Sequence, residues 1–488
     1  MRRLALAAAL ALAAPAPLAA QSTIPQAEFA ERRAALGQAI GDGVLVAFGG
    51  RNPIADFGPF HQLPSFAWLT NYHEPDATFV MMVRNGSAGT QLYVTPADPR
   101  RAFYYGRRPE GDALFQAVGI RSSRAESLTV HVDRIFTGLG ARTLYVLYDV
   151  EDADFAASDS LTRGRSWVKA FRTRFPDVQV VDAAPLVNRL RAKKSPAELA
   201  LIKKAAQISA EGHKAAMLLP EPKWEYELQA AVEGAFLRLG AQRPAYGSIV
   251  GAGLNGTQLH YMKNRDAVKK GDLVVIDAGA EYEGYAADVT RTLPASGTFT
   301  KPQRELYQLV RDAQAAAERN SKIGMSSVAA LDSSERVRKA GLARLGLIES
   351  EDATFDPPWK VNCDAAPKQC QQAMLWMIHG ISHGLGREVH DPAQFYEGDR
   401  TFQVGDAFTI EPGLYISQRS LDALPDTPKN RAFIAKVKAA VAKYEGAGVR
   451  IEDSYIVTEQ GVERVSLVPR EIAEIEALMK QRKAPPVP

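Results

Sequence analysis

The chain is nearly devoid of cysteine, with two in 488 residues, Cys363 and Cys370. That excludes a structural zinc site built on several thiolates. It also lacks an excess of either charge: 59 Lys and Arg face 56 Asp and Glu, for a formal net charge of +3, and no block of like charge occurs. Binding to nucleic acid or to an anionic membrane surface rests on a basic excess, so neither is expected. Past the N-terminus there is no apolar run approaching the ~20 residues of a membrane span. What is present is ordinary for a folded chain, 46% apolar and 24% charged. The length exceeds what one core usually organises, so two domains are expected.

The N-terminus carries Arg2 and Arg3, an apolar run from Leu4 to Ala14, and small residues up to Gln21. This is the order of a secretory signal peptide, with cleavage after Ala20. The run is too short for an anchor, and no Cys follows the cleavage point to take a lipid. Export to the periplasm or the medium is the expectation. In that compartment Cys363 and Cys370 are expected to pair and close a short loop.

From residue 23 to about 185, "GVLVAFGG", "ATFVMMVR", "TQLYVTP", "RTLYVLYD" and "VQVVDA" read as strands between helical stretches, an α/β pattern. "KKSPAELALIKKAAQIS" then opens a second domain. Ser195 is placed to cap a helix, Pro196 suits its first turn, and Glu198 stands in capping-box register. A further helix is expected from Trp224 to Leu239, stopping at Gly240. "RAFIAKVKAAVAKYEG" reads as a surface amphipathic helix.

The second domain echoes itself. "GDLVVIDAGA" begins at Gly271 and "GDAFTIEPGL" at Gly405, and each places an acid, Asp277 or Glu411, at the end of an apolar strand. Each is followed by another acid-bearing strand, "YAADVTRT" with Asp288 and "GVRIEDSYIVT" with Glu452. A duplicated unit with a pseudo-two-fold relation brings all four acids to one place. Four carboxylates on buried strands are costly without cations, and two divalent ions balance them. With an imidazole added, the donor set suits Mn²⁺, Co²⁺, Zn²⁺ or Fe²⁺. "HGISHGLGREVHD" supplies His379, His383 and His390. Its glycines argue against a helical zinc motif, so the segment is expected to be extended or looped. Spacing alone does not choose among the three histidines.

Together these motifs resemble the pita-bread metallopeptidases, in the aminopeptidase P and prolidase branch. "DAGAEYEGYAADVTRT" is similar to the family's two-aspartate hairpin, "HGISHGLGREVHD" to its histidine segment, and "IEPGLY" and "VRIEDSYIVT" to its two glutamate segments. "PFHQLPSFAWLTNYHEPDATFVMM" and "DPRRAFYYGRRPEG" resemble the N-terminal domain of aminopeptidase P. With the signal peptide read over 1–20, the resemblance implies an α/β N-terminal domain over 21–190 and an α+β, duplicated pita-bread catalytic domain over 191–488. It implies two divalent metal ions, Mn²⁺ first with Zn²⁺ or Co²⁺ as alternatives. Asp277 would hold one ion, Asp288 and Glu452 would bridge both, and His383 and Glu411 would complete the set.

The implied activity is that of an exported Xaa-Pro aminopeptidase. It would act on peptides with proline second, through a hydroxide shared by the two metals. Glu411 would shuttle the proton, and His390 would donate to the carbonyl oxygen as charge develops. His379 and His260 would line the proline side, with Arg450 and Tyr415 close to the metals. His61, His73, His131 and His213 take no role. The resemblance also implies a homodimer or homotetramer. The alternatives are a Xaa-Pro dipeptidase with the same centre, a metal-free relative and a non-catalytic pita-bread binding protein. Ser382 leans toward the aminopeptidase. Gly384 and Arg387 stand where larger apolar residues are expected, with Arg387 bringing a cation near the metal-binding strand. Insertions at 354–372 and 418–447 are expected to rim the site.

Overall fold

The computed structural model describes residues 23–52, 59–149, 162–396 and 398–482. The signal-peptide expectation lies outside the described residues. The N-terminal part is built on one mixed sheet of β1 (Gly43–Phe48), β2 (Thr78–Arg84), β3 (Ser87–Val94), β4 (Ser122–Arg124), β5 (Thr143–Leu147) and β6 (Gln179–Asp182), ordered β4-β3-β2-β1-β5-β6. The five strands expected from sequence are all there; the three-residue β4 is too short to leave a pattern. β1 is buried at every position because helices cover both faces. Leu45 and Ala47 pack with Leu36, Phe66 and Val187, while Val44 and Val46 pack with Val132 and Phe171 on the other side.

The second domain starts as its capping signature requires. The backbone N–H of Glu198 donates to Ser195 Oγ at 3.1 Å and that of Ser195 to Glu198 Oε2 at 2.9 Å, opening the helix Pro196–Leu218. The next helix, Glu225–Arg238, ends before Gly240 at φ +93°, a left-handed position glycine takes without strain. Four short strands follow, β7 (Arg243–Pro244), β8 (Ile249–Ala252), β9 (Leu273–Asp277) and β10 (Ala280–Tyr282), and then β11 (Tyr285–Ala286) and β12 (Thr290–Pro294). A second helix pair, Lys301–Asn320 and Ser327–Leu345, leads to β13 (Ala407–Ile410), β14 (Gly413–Ile416), β15 (Ala447–Arg450), β16 (Asp453–Thr458) and β17 (Gly461–Arg464).

The sequence echo is therefore structural: two helices, then an acid-bearing antiparallel pair, twice over. β9 pairs with β12 and β13 with β16. Each helix pair also closes on a glycine. A Cβ at Gly212 would sit 2.3 Å from Phe236, and one at Gly341 would sit 2.1 Å from Leu309. The halves join where Glu452 bridges Thr290. The expected amphipathic helix is Pro428–Tyr444, with Phe433, Val437 and Val441 buried.

Cys363 and Cys370 are disulfide-bonded, as export chemistry led us to expect. The two segments expected to be insertions engage each other: Asn430 Nδ2 donates to the carbonyl of Asp356 at 2.8 Å, and Thr427 Oγ1 donates to Asp356 Oδ2 at 2.6 Å. The disulfide loop also leans on the helix Ser327–Leu345 through Lys339 and Gln371. Among the described residues no helix is long and apolar enough to cross a membrane.

Candidate metal centre

Asp277 closes β9, and Asp288 precedes β12 on the returning strand, so both carboxylates leave the sheet at the same end. Glu411 follows β13 and Glu452 precedes β16, which repeats the arrangement in the other half. The histidine segment is not helical: residues 381–385 lie along β13, and the chain from Gly386 to His390 loops back. The backbone N–H of Thr409 donates to the His383 carbonyl at 3.0 Å, and that of Glu411 donates to the Ile381 carbonyl at 2.8 Å.

One histidine is thereby pushed into the acids. His383 Nε2 lies 3.4 Å from Asp288 Oδ2, 3.4 Å from Glu411 Oε1 and 3.7 Å from Glu452 Oε1. Its Nδ1 lies 3.0 Å from the Gly384 carbonyl, a contact that takes the ring's other proton and leaves Nε2 as a ligand atom. Asp288, His383 and Glu452 form the tightest group, each offering an atom within 4.8 Å of the others. Asp277 is joined to them through Tyr246, whose hydroxyl lies 2.5 Å from both Asp277 Oδ1 and Asp288 Oδ1. The other Asp277 oxygen accepts from Arg450.

The electrostatics of this cluster ask for cations. Burial, with Asp277 beside it, raises the Asp288 carboxyl to about 6. Burial and the Asp288 and Glu411 charges push Glu452 well above the ordinary carboxylate range. Burial alone would lower His383, but the neighbouring Asp288, Glu452 and Glu411 carboxylates carry it well above its usual value. Protons are thus retained where a divalent ion would balance the carboxylates. Glu452 Oε1 is buried with no hydrogen-bond partner, although its Oε2 accepts from Thr290 Oγ1 at 2.7 Å. A buried carboxylate oxygen left unsatisfied is costly, and a metal ion is the partner that fits it. The residues present therefore suit divalent metal ions with oxygen and nitrogen ligands.

The remaining candidates surround this group. His379 Nδ1 lies 3.4 Å from Glu411 Oε2, and its Nε2 is 2.8 Å from the Tyr415 hydroxyl. Burial would raise Glu411, but His379 and His383 bring it below the ordinary range. Arg450 donates to the same Tyr415 hydroxyl at 2.7 Å. The His390 ring centroid is 4.3 Å from that of His383, and burial followed by the His383 charge lowers its pKa. His260 is exposed, close enough to His390 for its charge to act there. His213 is buried behind the site, with Nε2 3.0 Å from the Ala278 carbonyl.

One sequence expectation needs correction. The larger apolar residue expected at Gly384 has no room: a Cβ there would meet the Asp391 carbonyl oxygen at 2.2 Å, so backbone approach dictates glycine. Arg387, expected to bring a cation near the metal-binding strand, lies against Gly284 and Tyr285 of the hairpin between Asp277 and Asp288. Its guanidinium lies over the Tyr285 ring at 5.0 Å, and its charge lowers His73 of the N-terminal part, after burial. Several supporting residues were missed. Tyr246 carries no motif. Arg291 and Asp453 lie inside the recognised motifs, yet nothing local marks them as a fully buried ion pair, 2.6 Å apart, directly behind Thr290 and Glu452.

The chain matches known families and solved structures over most of its length. Residues 200–459 match the model for metallopeptidase family M24, and residues 29–144 match that for the aminopeptidase P N-terminal domain. The chain is 33% identical over 471 residues to a Xaa-Pro aminopeptidase of Haemophilus influenzae, covering 95% of this chain and 99% of the relative. It is 32% identical over 430 residues to that of Escherichia coli, covering 86% and 89%. Among solved structures, zinc-substituted E. coli aminopeptidase P in complex with product superposes with a TM-score of 0.75 at 30% identity, over 95% of this chain and all of the other (100%). Proline aminopeptidase P II from Yersinia pestis gives 0.75 at 29% identity, covering 94% and 100%.

Proposed function

The chain belongs to metallopeptidase family M24, in its aminopeptidase P branch, and from that membership we propose an exported Xaa-Pro aminopeptidase that works with two divalent cations. It is a metal-dependent enzyme that hydrolyses peptides. The observation that carries the reading is the convergence of Asp288, His383 and Glu452 around the unsatisfied Glu452 Oε1. Asp277 and Glu411 stand next to this group and complete a five-residue donor set. Divalent ions held there would act as Lewis acids and lower the pKa of the attacking water. Mn²⁺ is the first choice because four of the five donors are carboxylates.

The side chains around the donors divide the remaining work. Glu411, ionised and flanked by His379 and His383, is placed to take a proton from water and pass it to the leaving nitrogen. His390 would donate to the scissile carbonyl oxygen, a contribution of the order of 3–4 kcal/mol for comparable donors. Its lowered pKa keeps the imidazole neutral near pH 7, which preserves a donor without adding charge. Arg450 fixes Asp277 and Tyr415 together. His260 and His379 would line the side that takes the proline ring. Proline has no N–H to donate, so shape must select it. Export is supported by Arg2, Arg3 and the apolar run from Leu4 to Ala14.

The test is a paired assay of a Xaa-Pro-Xaa tripeptide and a Xaa-Pro dipeptide, each with Mn²⁺, Co²⁺ and Zn²⁺. Release of the first residue from the tripeptide supports the proposal. Cleavage of the dipeptide alone would make the protein a dipeptidase, and cleavage of neither with metal bound would overturn the substrate assignment.

A further inference from the structure

A second buried charge cluster lies just beyond the metal donors, where the N-terminal part meets the histidine segment. Arg191, in the helix Ala184–Ala192, and Lys194, just past it, are 1% and 2% exposed; Asp391 is 5% exposed. Arg191 Nη2 donates to Asp391 Oδ1 at 2.5 Å and to Glu388 Oε2 at 2.6 Å, while Nη1 donates to Ser65 Oγ at 2.6 Å. Lys194 Nζ reaches Asp391 Oδ2 at 2.8 Å and donates to the carbonyls of Pro392 at 2.7 Å and Arg191 at 2.8 Å. Both Asp391 oxygens are thus held by cations from a segment about 200 residues away.

The grip extends into the loop that carries His390. The Asp391 N–H donates to the Gly384 carbonyl at 3.0 Å, and the Glu388 N–H donates to Asp391 Oδ1 at 3.0 Å, closing residues 384–391 on themselves. A Cβ at Gly386 would lie 2.4 Å from Asp391 Oδ2 and 2.8 Å from Lys194 Cε. The glycine pattern of this segment is therefore cut to admit Asp391 and Lys194. His390 is the residue before Asp391, and its ring packs against the His383 ring. Two cations and one carboxylate this deeply buried, with the partly exposed Glu388 beside them, are poor value as stability alone, because desolvation offsets most of the attraction. It does fix geometry.

We propose that Arg191, Lys194 and Asp391 are positioning residues for His390: the domain junction sets the imidazole that faces the scissile carbonyl, so the N-terminal part contributes to turnover without supplying a reacting group. This rests on the role given to His390 above. Misplacement of a reacting group by about 1 Å costs on the order of 100-fold in rate.

The experiment is a double-mutant cycle in the full-length Mn²⁺-loaded enzyme, with Asp391→Asn and His390→Ala alone and combined, read as kcat and KM on a Xaa-Pro-Xaa tripeptide and as Mn²⁺ affinity. Asp391→Asn should lower kcat by about 10- to 100-fold with KM and Mn²⁺ affinity within about threefold, and should add nothing in the His390→Ala background. Arg191→Lys keeps the charge but loses the fork that spans Asp391, Glu388 and Ser65. It should repeat the kcat loss at smaller size, and it serves if Asp391→Asn does not fold. Additive losses, or a loss confined to Mn²⁺ affinity, would overturn the positioning role. Near wild-type kcat in His390→Ala would instead remove the role assigned to His390 itself.

Discussion

Glu452 is fastened to Thr290 twice: its N–H donates to the Thr290 carbonyl at 3.1 Å, and its Oε2 accepts the Thr290 hydroxyl at 2.7 Å. This double contact spans the two halves of the catalytic domain and leaves Oε1 as the oxygen free to meet a cation. Thr290→Val keeps the shape and removes the hydroxyl. Mn²⁺ affinity by calorimetry should fall by about 10- to 100-fold, the usual effect of losing a partner that orients a ligand. Unchanged affinity would mean that the hydroxyl does not orient the carboxylate.

The Asp288 carboxyl sits at about 6 against an ordinary 3.8, so its sign can be worked out. A raised pKa favours the fold fully below 3.8, and that contribution is lost as pH rises through about 6. Metal-free Asp288→Asn should therefore melt above the parent at pH 8, with the gain shrinking toward pH 5, while its activity is lost. The same proton competes with metal, so Mn²⁺ affinity of the parent should weaken as pH falls through 6. Thermal melts in chelator at the two pH values and a metal titration at each check both statements.

Behind the centre, Arg291 and Asp453 are both fully buried, and Arg291 also donates to the Glu452 carbonyl at 2.6 Å. Asp453→Ala leaves that guanidinium without its carboxylate and should cost about 3–5 kcal/mol in denaturant unfolding. A loss under 1 kcal/mol would mean that Arg291's carbonyl partners alone satisfy it.

The Cys363–Cys370 bridge closes a short loop that meets the helix Ser327–Leu345 through Lys368, whose Nζ donates to Asp332 Oδ1 at 3.1 Å. Replacing both cysteines by serine should cost about 2–3 kcal/mol of stability by chain entropy and leave tripeptide turnover within about twofold. A large loss of turnover would show that the loop supports the site.

The four candidate carboxylate donors were legible in sequence because they lie on strands that repeat in register, Asp277 after "LVVI" and Glu411 after "AFTI", whereas spacing did not single out His383. The capping box at Ser195 and Glu198 was legible too, since its partners are three residues apart. Glu198's other work was not. It also receives Trp68 Nε1 at 3.1 Å and Tyr285 Oη at 2.8 Å, from segments that no local pattern links. Tyr246 and Arg191 escaped for that reason as well, because their partners are set by tertiary approach. The need for glycine at Gly384 was not legible either, because the Asp391 backbone that excludes a side chain there is placed by the fold of the loop.

The most direct measurement is a titration of Mn²⁺ into the metal-free, full-length protein, following bound metal and hydrolysis of a Xaa-Pro-Xaa tripeptide together. The donor set of Asp277, Asp288, His383, Glu411 and Glu452 calls for about two ions per chain, with activity rising as they bind and abolished in His383→Ala. Hydrolysis at full rate without metal, or by His383→Ala, would contradict it.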